Sequence, residues 1–117
     1  MTTEQNPAPT SLMGPVRYDL HVFVPADGER DDGVDFTVNA LSLPRVGDEL
    51  TFESDDSVLV VKVMHVNHWF FSTRNEPPRR TISVTAHSYP KFDDLVRRLR
   101  KDTEIDQWIS SFTMLER

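Results

Sequence analysis

At 117 residues the chain has room for one domain of ordinary size and not for two. It holds no cysteine, which excludes a disulfide framework and thiolate metal sites. The formal charge of −6 is unevenly spread: residues 1–57 carry 12 acids and 3 bases, residues 58–117 carry 7 acids and 10 bases. Such polarity suits a polarised partner or self-association better than broad coating of nucleic acid.

Residues 1–14, with Pro7, Pro9 and Gly14 and little apolar content, read as a mobile tail ahead of a single domain over 15–117. They lack the basic and apolar regions of a secretory signal. No run approaches the roughly 18 apolar residues of a membrane helix. The expectation is a soluble, cytoplasmic protein with no membrane partner.

Five strands are expected. In VRYDLHVFV, residues Val16, Tyr18, Leu20, Val22 and Val24 alternate with Arg17, Asp19, His21 and Phe23, the period of a half-buried strand. Val34, Phe36, Val38 and Ala40 alternate with Asp35, Thr37 and Asn39 in a second. In ALSLPRVGDELTF, Pro44 removes a ladder donor and Gly47 tolerates positive φ, so the chain turns a corner into a short third strand around Leu50 and Phe52. Val58–Phe71 is apolar on both faces, which predicts a strand covered on two sides. Its 14 residues would span about 46 Å, so a bend or bulge is expected near Asn67. Thr81–His87 returns with Ile82, Val84 and Ala86 on one side.

Two helices close the chain. Phe92, Leu95, Val96 and Leu99 fall at the spacing of one helix stripe within PKFDDLVRRLRKD. Thr103 followed by Asp106 resembles a capping pattern before Ile105, Trp108, Ile109 and Phe112. The fold class is therefore α+β: a five-stranded bent antiparallel sheet or small open barrel followed by two C-terminal helices.

The order LPRVGDEL, a short strand, then VLVVKVMHV resembles a strand–corner–strand element of uncharacterised small β-rich bacterial and phage proteins. It is also similar to the barrel-entry turn of SH3-like folds. This likeness covers about a quarter of the chain, implies a fold and carries no functional residue.

Several residue groups invite chemistry. His65 and His68 point to opposite faces of a regular strand, so a shared metal would need a bulge at Asn67 to unite them, with His21 or His87 joining. Asp27, Glu29, Asp31, Asp32 and Asp35 crowd one loop, but Val38 stands where a calcium loop needs its final Glu, leaving a solvated turn. Arg97, Arg98, Arg100 and Lys101 invite phosphate, yet Asp93 and Asp94 four residues before Arg97 and Arg98 read as helix-stabilising pairs. The stiff loop with Arg74, Arg79 and Arg80 around Pro77-Pro78 offers planar donors to a carboxylate or phosphate. Beside it, Trp69, Phe70 and Phe71 form an anchor patch if exposed and sheet core if not. No nucleophile elbow, phosphate loop, HExxH or paired-carboxylate pattern occurs.

The reading is a non-catalytic protein–protein interaction module, of accessory, regulatory or phage structural kind, binding another protein or itself through Trp69, Phe70, Phe71, Arg74, Arg79 and Arg80. No cofactor and no metal is expected. Two alternatives invoke nucleic acid: a small barrel that binds it, disfavoured by the acidic N-terminal half, or an acidic mimic that occupies a nucleic-acid-binding partner.

Overall fold

The computed structural model describes residues 16–28, 32–72 and 82–117. The expected tail over 1–14 lies outside them. All five expected strands form: β1 (Val16–Phe23), β2 (Val34–Ala40), β3 (Glu49–Glu53), β4 (Val58–His68) and β5 (Ile82–Ser88). Helices α1 (Asp93–Arg98) and α2 (Asp102–Ile109) follow, and Leu115–Glu116 adds a sixth strand, β6. The strand order is β3-β4-β5-β1-β2-β6 in one mixed sheet.

The expectation of an all-antiparallel sheet is corrected. β1 and β5 run parallel, from Asp19 beside Ser83 to Phe23 beside His87. The cause is the corner ALSLPRVGDELTF. Instead of folding β3 back beside β2, as consecutive strands usually do, it carries the chain to the far edge of the sheet. Returning through β4 and β5, the chain then reaches β1 in the same direction. The corner ends in a tight turn: Asp48 N–H donates to Arg45 O at 3.0 Å, and Asp48 Oδ2 accepts from Arg45 N–H at 2.9 Å. Gly47 has φ 96°, which only glycine adopts cheaply. Gly47 and Asp48 together face Val63, the two-against-one pairing of a glycine bulge.

The sheet curls into a half-barrel. In a flat sheet, β2 and β3 would stand four strand spacings apart, about 19 Å. Instead the Phe36 and Phe52 rings lie 5.5 Å apart, each within 6 Å of Trp108. Phe112 closes the group, 5.0 Å from Trp108 and 6.3 Å from Phe52. Both helices pack into the concave face, where Val96, Leu99, Ile105, Trp108 and Ile109 join Leu20, Val22, Leu59, Val61, Val63, Val84 and Ala86. Their shared side explains a second correction. β4 is covered on one face only: Leu59, Val61 and Val63 are buried, whereas Val58 and Met64 are exposed on the other.

The expected bulge exists, but at Met64 and not Asn67. Val63 pairs with Ala86 and His65 with Thr85, leaving Met64 unmatched. The extra residue switches the alternation, so Val66 beside Val84 returns to the core side. α2 also starts two residues earlier than the Thr103 cap implies. Lys101 stands at its N-cap, and no side chain caps it there.

Candidate interaction surface

Beyond His68 the chain leaves the ladder, and Trp69, Phe70 and Phe71 stand outside the core, 49%, 92% and 45% exposed. Trp69 extends the face of His65 and Asn67, and its Nε1–H donates to Ser83 Oγ at 3.2 Å. Phe71 stacks on it with centroids 6.4 Å apart and planes 22° apart. Residue alternation sends Phe70 the other way, into solvent. The choice between core and surface thus resolves to surface for all three. Arg74, Arg79 and Arg80, between Ser72 and Ile82 in the sequence, lie outside the described residues.

The histidines are not brought together. His65 and His68 keep opposite faces because the ladder is regular from His65 to His68. His21 Nδ1 lies 2.8 Å from Asp35 Oδ1, while His87 Nδ1–H donates to Ser88 O at 2.9 Å. Among the described residues no group of three His, Asp or Glu side chains is placed to hold a metal ion.

The acidic loop and basic helix meet each other, which local pairing rules miss. Arg97 grips both oxygens of Asp27, with Nη2 2.8 Å from Oδ1, and Arg100 Nη2 reaches Oδ2 at 2.7 Å. Hydrogen bonds from Arg97 and Arg100 hold the Asp27 carboxyl down at about 2. Two readings are corrected here. Asp27 is not a solvated turn residue, and its oxygens already face two guanidinium groups, so it is no free calcium ligand. Arg97 pairs within its helix to Asp94 at 3.1 Å, three residues away, not to Asp93. Asp93 instead accepts from the buried Ser88 hydroxyl at 2.6 Å. Arg98 joins Glu104 at 3.4 Å.

A groove that the sequence reading did not single out runs along the seam of the half-barrel. Its volume is about 710 Å³. Tyr18, Val38, Leu43, Phe52, Phe112 and Leu115 supply apolar floor and walls, and the exposed Leu41 stands on its lip. The charged residues along it are Asp48, Glu49 and Glu53, with no base among them. Burial pushes the Tyr18 phenol up to about 12. Glu49 accepts a hydrogen bond from Tyr89 Oη at 2.7 Å, and Tyr89 is raised as a result. The legible signal was ALSLPRVGDELTF itself, whose Leu41, Leu43, Glu49 and Phe52 all line the seam.

No helix among the described residues is long and apolar enough to cross a membrane. No family model matches the chain, and neither a curated protein nor a solved structure matches it.

Proposed function

We propose that the protein is a non-catalytic protein–protein interaction module that engages its partner through Trp69, Phe70 and Phe71. The observation that carries this reading is their position. Three consecutive large aromatics stand outside a core that already holds Phe36, Phe52, Trp108 and Phe112. Aromatic side chains are the commonest anchors of protein interfaces, because they bury much area while losing little rotamer freedom. The sequence that follows, with Arg74, Arg79 and Arg80 around two prolines, carries planar cationic donors suited to a carboxylate. The excess of bases in the second half of the chain favours an acidic partner.

The test uses Phe70→Ser and Trp69→Ala in the full chain. Phe70 is almost fully exposed, so its replacement leaves the thermal transition in place. Light scattering and pull-down from the source cell read the association, and Trp69 fluorescence shifts to the blue when its ring is covered. Loss of a specific partner or of self-association in both variants supports the reading. A strict monomer that retains no protein at any salt concentration refutes it. A salt-dependent gel shift with DNA or RNA would instead favour the nucleic-acid alternative.

A further inference from the structure

We propose that the seam of the half-barrel is a second binding site, which takes one extended strand of a partner protein whose apolar residues alternate with Lys or Arg. The backbone makes the first case. Val63 N–H donates to Asp48 O at 2.8 Å, which fixes the phase of the β3–β4 ladder. With Leu50 opposite Val61 and Phe52 opposite Leu59, the even-numbered residues bond inward to β4. The N–H and C=O groups of Glu49, Thr51 and Glu53 therefore point out of the sheet. β3 is an edge strand, and among the described residues no other strand pairs with it. Five residues, about 17 Å, are thus open to strand addition.

Side chains make the second. An incoming strand laid along β3 sets alternate residues onto the floor of Tyr18, Val38, Phe52 and Phe112. Its other residues pass Glu49 and Glu53, and just beyond lie Asp55 and Asp56 in the β3–β4 turn. No ion pair among the described residues engages these four carboxylates. Bases on the incoming strand complement them.

The same chemistry rejects the occupants nearest to hand. Residues 1–15 contain Glu4, three prolines and no base, so they match neither the charge nor the ladder. A second copy of β3, paired antiparallel about Thr51, would set Glu49 against Glu53 twice.

The test is selection of a displayed library of random dodecamer peptides against the full chain, followed by synthesis of the strongest and titration of ¹⁵N-labelled protein. Peptides alternating apolar residues with Lys or Arg are expected. The amides of Glu49, Thr51 and Glu53 should shift and become protected from exchange. Glu53→Lys, at an exposed position, lowers affinity about tenfold. Thr51→Pro, which deletes an outward N–H, lowers it at least as far provided its melting transition is retained. Four outcomes overturn the proposal: no enrichment, enrichment of acidic peptides, equal binding by Glu53→Lys, or shifts confined to Trp69–Phe71.

Discussion

Closure of the half-barrel rests on Phe36 and Phe52, and a double-mutant cycle between them measures it. The rings meet edge-on, 5.5 Å between centroids and 80° between planes, although three strands separate β2 from β3 within the sheet. Both side chains are buried, so Phe→Leu at either site costs about 1–2 kcal/mol, small enough to leave a domain stabilised by roughly 5–15 kcal/mol folded. An edge-to-face aromatic pair adds about 0.5–1.5 kcal/mol beyond burial. The double variant should therefore be less destabilised than the sum of the singles by about 1 kcal/mol. Urea unfolding followed by circular dichroism, with unchanged m across the four proteins, gives the required values. Additivity to within about 0.3 kcal/mol would mean that the rings do not touch in solution and that the sheet is more open than described.

Three further outcomes follow from the same structure. The Asp27 carboxyl is lowered from 3.8 to about 2 by Arg97 and Arg100; a lowered carboxylate stabilises above its unfolded pKa, so this contribution is lost as pH falls from about 4 to 2, and Asp27→Asn should flatten that part of an acid-unfolding curve. Tyr18 is raised from 10.0 to about 12; its stabilisation is complete below pH 10 and disappears through pH 12, worth roughly 2–3 kcal/mol, and Tyr18→Phe should remove the alkaline dependence in a pH series of urea melts. A Cβ at Gly33 would run into the Val22 carbonyl oxygen and the His21 ring, so Gly33→Ala should lower stability by about 1–3 kcal/mol and lower the thermal midpoint.

Elements written in a local period were readable, and those decided by distant neighbours were not. Tyr18, Leu20 and Val22 against Arg17, Asp19 and His21 display their buried face in plain alternation; Val34, Phe36 and Val38 are buried as their alternation implies, but Thr37 and Asn39 on the other face are buried as well. That β4 needs a bulge was readable from its length, but its place at Met64 was not, because valines on both parities masked the passage of the core residues from odd numbers (Leu59, Val61, Val63) to even (Val66). No local rule states that the Leu41–Asp48 corner crosses to the other edge, so the parallel pairing of β1 with β5 was hidden. β6 spans two residues, too few for any period. The Asp27–Arg97 pair links positions 70 apart, and charges that already satisfy a helix dipole give no hint of it. The seam is assembled from β2, the corner, β3 and the turn after α2, so its existence is a property of closure and not of any one segment.

An open edge five residues long invites copies of the protein to pair, and this edge carries its own protection. Glu49 and Glu53 flank Thr51 on the exposed strand, and charge on an edge is the usual means of keeping sheets apart. One pair of carboxylates thus repels β3 of another copy and attracts a basic strand. Glu49→Gln combined with Glu53→Gln separates that charge effect from the shape of the seam, because both residues retain their length. Without the like-charge contacts, β3 should pair with itself, and sedimentation should show more dimers or larger species than the natural sequence does at equal concentration. The Leu41 lip and the apolar floor beneath it would be covered in such a dimer. If the neutral variant sediments like the parent at every concentration and salt, the carboxylates do not govern what reaches this edge, and the choice of a basic strand loses its electrostatic basis.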